Sequence, residues 1–241
     1  MPRRAGRRAL GWLTAGIGFA AAIYAALVSV AWCRFGRARP RRAGSDLLLD
    51  RFMPDYDVAE QHFAYIEAPP DVALRAAEET DLEGAPIIRA IFKAREIVLG
   101  AVPEDVSRPR GLLDLTTSIG WGVLAERPGR EVVVGAVTQP WMPDVVFRAL
   151  PPEAFRDFHE PGYVKIVWTL RADPAGAGHS VFRTETRAVA TDAVARARFR
   201  WYWARFSPGI ILIRRLMLIQ LRKDAERRAR AMAPVAIAGR A

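Results

Sequence analysis

The chain has 241 residues, 51% of them apolar, which allows one domain with a real core and excludes wholesale disorder. A single cysteine, Cys33, excludes an internal disulfide framework and a cysteine-ligated metal site. The formal charge of +10 invites a nucleic-acid reading, but the body from 43 to 195 holds 15 basic and 24 acidic residues, and the excess sits at the two ends. A nucleic-acid binder carries its basic surface on the folded body, so no nucleic-acid partner is expected.

Residues 1–8 form a basic tail, followed from Ala9 to Trp32 by 24 residues without a charge. As a helix this run is about 36 Å long, enough to cross roughly 30 Å of hydrocarbon. Trp12 and Trp32 fit the interfacial positions of such a span, and 9–32 is expected to be a single transmembrane helix. A cleaved signal would be shorter and end in small residues, whereas Trp32 closes this run. A small residue before Cys33 would mark a lipoprotein, and Trp32 stands there instead. Four arginines and the amino terminus precede the span and five arginines follow it, close to a tie. A cell-membrane protein with its body in the cytoplasm is expected, because the short N-terminal tail is the easier part to translocate.

Residues 33–50 read as a basic linker rich in Pro and Gly. The domain proper runs from 51 to 230, with a flexible tail at 231–241. His62–Ala68 has strand composition and stops at Pro69-Pro70, after which Asp71 is placed to cap a short helix. Ile87, Ile88, Ile91, Phe92 and Leu99 follow a helical period closed by Gly100. Beyond residue 111 the texture turns to strands: Trp121–Glu126 and Glu131–Thr138 around a Pro-Gly turn, then Val145–Leu150. Tyr163–Ala172 and Ser180–Ala190 follow, flanking DPAGAGH. A long helix runs from about 193 toward Arg230, with a kink or break expected at Ser207-Pro208-Gly209. Strands in succession without crossover helices predict an α+β fold, an antiparallel sheet packed on the long C-terminal helix.

Several stretches resemble the START-related SRPBCC superfamily, the helix-grip fold: MPDYDVAE at 53–60, APIIRAIFKAREIVLG at 85–100, GWGVLAERPGREVVVGAVTQPW at 120–141, YVKIVWTLRAD at 163–173 and FRTETRAVATD at 182–192. The resemblance, to bacterial members with no assigned reaction, covers about residues 50–230. It implies a curved sheet gripping the C-terminal helix around an apolar cavity for lipids or other hydrophobic molecules. It implies no catalytic residue, since the superfamily has no universal motif, and the N-terminal anchor is an addition to its usual form.

Motifs for hydrolysis, phosphate cradling, dinucleotides and metal ligation are missing, and His62, His159 and His179 show no ligand spacing. No metal or cofactor is expected, and a non-enzymatic role is favoured. Alternation along FRTETRAVA puts Thr184 and Thr186 on one face and Arg183, Glu185 and Arg187 on the other. The threonines are candidates for a ligand cavity with Trp121, Val134, Phe147, Ile166, Trp168 and Trp203. Arg183, Glu185 and Arg187 belong either to the cavity mouth or to an ion-pair ladder. On the long helix Phe199, Tyr202, Trp203 and Phe206 form a core-facing stripe. Farther along, Arg214, Arg215 and Arg222 fall on the narrow polar arc and are candidate membrane-facing basic residues. The expected partners are a membrane and a hydrophobic small molecule or lipid. A polyketide cyclase or aromatase-like enzyme and a non-binding protein scaffold are the alternatives.

Overall fold

The computed structural model describes residues 3–37, 46–81, 90, 93, 98–100 and 111–232; for 3–15 and 17 only the helical backbone is described. The first element, α1 (Arg3–Arg34), is one unbroken helix of 32 residues, about 48 Å long. It contains the apolar run 9–32, of which residues 9–15 and 17 lie outside those with described side chains. Among the described residues no helix is long and apolar enough to cross a membrane.

The next described element is a single turn, α2 (Leu47–Asp50), inside the stretch 33–50 expected as linker. Its signal is local: Asp46 accepts hydrogen bonds from the Leu48 and Leu49 amides and so caps the turn. Strand β1 spans Val58–Ile66, four residues earlier than expected, because its ladder to the last strand begins at Val58 opposite Ala188. Helix α3 (Pro70–Glu78) starts at Pro69 with Pro70 in its first turn, and no side chain caps it. Asp71, expected as the cap, lies inside the helix and pairs with Arg75 at 2.8 Å. The helix expected from Ile87 to Leu99 lies largely outside the described residues; 90, 93, 98 and 99 are helical, and Gly100 has φ +70°.

A second unexpected helix, α4 (Leu112–Ser118), precedes strands β2 (Gly122–Arg127), β3 (Glu131–Thr138) and β4 (Phe147–Arg148). Then come the short α5 (Pro152–Arg156), the hairpin of β5 (Val164–Pro174) and β6 (Ser180–Ala190), and finally α6 (Ala193–Met232). All pairings are antiparallel in the order β1-β6-β5-β3-β2, with β4 continuing the β2 edge of β3. Two hairpins, β2–β3 and β5–β6, are local; the sheet is completed when β1 docks on β6.

Asp192 caps α6 by accepting from the amides of Val194 and Ala195. No break occurs at Pro208: the helix is continuous through it for 40 residues, about 60 Å. Proline removes one intrahelical hydrogen bond, and contacts on both sides hold the axis. Upstream, the Tyr24 hydroxyl donates to the Arg205 carbonyl at 2.6 Å and Arg200 donates to the Trp32 carbonyl at 3.0 Å. Downstream, α6 packs on α3 and across β1, β6 and β5.

Each face of the sheet is covered differently. The outer face meets α2 and α5 through Leu48, Leu49, Met53, Val133, Phe155 and Val167. The inner face meets α6. Covered on both sides, β3 is buried at all eight positions.

Candidate ligand site between the sheet and the long helix

Alternation and register decide which side chains meet α6. On β6, Phe182, Thr184, Thr186 and Ala188 point inward; opposite them on β1 stand Ala64, His62, Glu60 and Val58. On β5, Ile166 faces Ala188 and Trp168 faces Thr186, while Val134 of β3 lies opposite Trp168. Trp121 packs its ring 6.3 Å from Trp168 and 5.0 Å from Phe147. All of the expected cavity residues thus come to one face, with Trp203 of α6 over the Ile166 end.

That inner layer is not uniformly apolar. One cluster holds Ile66, Trp168, Leu170, Phe182, Leu218 and Leu221. A second holds Phe35, Val58, Val164, Ala188, Phe199 and Trp203. Between them lies a polar waist. It consists of Glu60 and His62 on β1, Thr184 and Thr186 on β6, and Arg214 reaching in from α6.

Arg214 departs from its expected place on the outward arc with Arg215 and Arg222. Its guanidinium turns under the sheet, where Nη1 donates to Thr184 Oγ1 at 2.9 Å. The reason is position: α6 carries it directly above Thr184, at the junction of the two apolar clusters. Burial pushes its pKa down to about 10, and the charge of Glu60 opposes that shift. Arg215 and Arg222 stay exposed, and Arg222 is paired with Glu226 at 2.9 Å. Thr184 is fully buried, and the buried Thr186 hydroxyl has no hydrogen-bond partner among the described residues. Trp141, packed against the Trp203 cluster, likewise has a buried indole N–H without an acceptor.

Arg183, Glu185 and Arg187 point to the outer face, so none of them stands at the inner layer. Arg187 is 3% exposed and makes 2.6 Å contacts to both Glu185 and Asp50. It also donates to the Met53 carbonyl at 2.8 Å and lies over the Tyr56 ring. Burial works against its charge, but the two carboxylates more than offset it and its pKa is raised. Arg183 reaches Asp173 at 3.3 Å, so the ion-pair alternative describes all three. The sequence reading missed Asp50 and Met53 as partners because their segment carries no strand or helix period.

A further shifted group also faces outward. Glu131 is 1% exposed, and burial together with the neighbouring carboxylate Asp46 raises its pKa to about 8. It borders a pocket of about 260 Å³ with Arg127, Arg130, Arg171 and Asp173. A second pocket, of about 180 Å³, lies between Phe52, Leu124 and Arg156. Neither is lined by the inward-facing residues. No cluster of potential metal ligands occurs among the described residues.

No family model and no curated protein matches this chain. Several solved structures align with it at low identity. A hypothetical protein from Helicobacter pylori aligns over 78% of this chain and 99% of its own, with 6% identity and a TM-score of 0.38. The di-domain ARO/CYC BexL aligns over 70% of this chain and 46% of its own, with 16% identity and a TM-score of 0.27. The Zhui aromatase/cyclase from a Streptomyces species aligns over 74% and 99%, with 16% identity and a TM-score of 0.24. An antiparallel sheet with a long C-terminal helix describes this chain on its own geometry.

Proposed function

We propose that this protein binds a hydrophobic small molecule or lipid between the inner sheet face and α6, beside a membrane that α1 anchors it to. The observation that carries the reading is the composition of the inner layer. Trp121, Phe147, Ile166, Trp168 and Trp203 supply apolar wall, and a few convergent polar groups interrupt it at one level. Apolar walls with few placed polar groups are the usual make-up of small-molecule sites. The SRPBCC resemblance points the same way.

Membrane attachment is supported by the uncharged run 9–32 within α1 and by its side chains. Phe19, Ile23, Leu27 and Val30 are each about half or more exposed, an apolar stripe that lipid would cover. Trp32 at the end of the run meets Trp201 of α6 edge to face at 4.8 Å and carries Arg200 4.0 Å over its ring, a pairing suited to an interface. We place the body on the cytoplasmic side. A membrane-impermeant maleimide that labels the exposed Cys33 only after the cells are opened would support that side. Release of the protein from membranes by alkaline carbonate would remove the anchor from the reading.

Native mass spectrometry of the full chain in detergent, with organic extraction of what co-purifies, tests binding. A stoichiometric hydrophobic species supports it, and a bare mass that resists loading favours a protein-docking scaffold. One observation favours an enzyme of the cyclase kind: Glu60 and His62 bring a carboxylate and an imidazole to the waist. Turnover of a polyketide-like substrate that is lost in His62→Ala would establish that instead.

A further inference from the structure

The polar waist sets one carboxylate, Glu60, and the His62 imidazole against the donors of Arg214, Thr184 and Thr186. Arg214 has five N–H groups and no acceptor, and among the described residues one of them is matched, by Thr184. Thr184 therefore already spends its oxygen on the guanidinium. The Thr186 hydroxyl, the next inward position along β6, has no partner, and neither has the Trp141 indole N–H. Buried donors left unmatched, such as the Thr186 hydroxyl, are costly, and Arg214 is half-buried beside it. Glu60 is the carboxylate whose charge acts on Arg214, and it compensates only part of the effect of burial.

The position of this imbalance matters as much as its sign. Apolar clusters flank the waist on either side, around Trp168 and Leu218 and around Trp203 and Phe199. A molecule matching this layer has a negatively charged, acceptor-rich end at the waist and an apolar remainder along one cluster. Neutral sterol-like molecules offer one weak acceptor, and cations offer none that suit a guanidinium.

We infer that the ligand is an anionic amphiphile, a carboxylate or phosphate on an apolar chain, whose head is held by Arg214 with Thr186 beside it. The inference rests on the binding reading above and narrows it to a class. A carboxylate takes two N–H groups of a guanidinium in parallel, and a phosphate does the same with an oxygen to spare for Thr186. Arg214 is half-buried, so the head is met at the margin of the layer while the chain lies within it.

The test uses the full chain in maltoside micelles and photo-crosslinking with diazirine-bearing palmitic acid, against the matching diazirine-bearing fatty alcohol. Mass spectrometry of the peptides reads labelling on β6 and α6. Acid is expected to label these elements at least about tenfold more strongly than alcohol, the worth of one charge-assisted contact. Arg214→Gln should bring acid down to the level of alcohol and leave alcohol unchanged, while Arg214→Lys keeps part of the preference. Thr186→Val, which removes a hydroxyl and little else, should cost the acid about threefold to tenfold and the alcohol nothing. Competition separates the sources: displacement by palmitate alone points to a carboxylate, and equal displacement by hexadecyl phosphate to a phosphorylated lipid. Equal labelling by acid and alcohol overturns the anionic head while leaving hydrophobic binding in place. An acid preference that survives both Arg214→Gln and Thr186→Val overturns the assignment to this waist. If Arg214→Gln does not fold, Thr186→Val alone decides. Labelling of β6 and α6 by neither probe removes the binding reading itself.

Discussion

On the outer face Arg187 has Glu185, Asp50 and the Met53 carbonyl around one guanidinium. On the inner face Arg214 has the hydroxyl of Thr184. Arg187 lies under a covering helix and Arg214 belongs to one; the first meets two carboxylates at 2.6 Å, whereas the second bonds a hydroxyl and feels the charge of Glu60. A buried charge with matched partners is architecture, since α2 is tied to β6 by it. A half-buried charge bonded to one hydroxyl has donors left for something from outside. The same contrast runs through the packing. Outward, Gly135 leaves no room: a Cβ there would stand 2.5 Å from Leu124 Cδ1 and 3.0 Å from a Phe155 ring carbon. Inward, Thr186 and Trp141 carry donors that nothing in the described residues answers.

The sharpest way to break the comparison is at Arg187. Arg187→Ala removes the cation shared by Asp50 and Glu185 beneath α2, and a loss of about 3–5 kcal/mol is expected in chemical unfolding. If Arg187→Ala unfolds like the wild type, the outer cluster is not architecture.

Next is the pH response of Glu131, which also belongs to the outer face. An unfolded carboxyl gives up its proton near 4.5, while the folded one keeps it to about 8. Between these values the native state holds more protons, so stability falls as pH rises through the window, by up to about 1.4 kcal/mol per pH unit. Glu131→Gln, which cannot ionise, should flatten unfolding free energy from pH 5 to 8. A slope in the variant equal to that of the wild type would assign the effect elsewhere.

Gly135→Ala tests closeness alone. The added methyl is expected to cost about 1–3 kcal/mol by overpacking against Leu124 and Phe155, read as a lower unfolding midpoint at unchanged slope. The smallest effect has the opposite sign. Thr186→Val removes a buried hydroxyl that has no partner and should be neutral or stabilise the unliganded protein by about 1 kcal/mol. A clear destabilisation would mean that the hydroxyl is already matched, and the two faces would then differ less than their partners indicate.

Much of the sheet was legible in the sequence because strand alternation is local. Thr184 and Thr186 against Glu185 and Arg187 is a period of two, and the fold keeps both sets on their separate faces. The hairpins were legible for the same reason, through Pro128-Gly129 and the glycines of DPAGAGH, which adopt positive φ at Gly129, Gly176 and Gly178. The one-turn α2 and the short α4 and α5 were not, since a helix of four to seven residues has too few turns to show a period. Pro208 was legible as a residue and misleading as a break. Proline removes a hydrogen bond wherever it stands, but whether the helix survives depends on what clamps it from either side.

By itself, then, the sequence determined the face each strand residue takes, the length of α6, the uncharged run in α1 and the apolar character of the inner layer. These follow from periods and composition within a few residues. Tertiary structure alone decided who stands opposite whom. Arg187 finds Asp50 at a separation of 137 residues, and Arg214 finds Thr184 at 30. Hydrogen bonds and ion pairs act over about 3 Å, so whether a buried charge is answered is set by register and helix docking rather than by its neighbours in the chain.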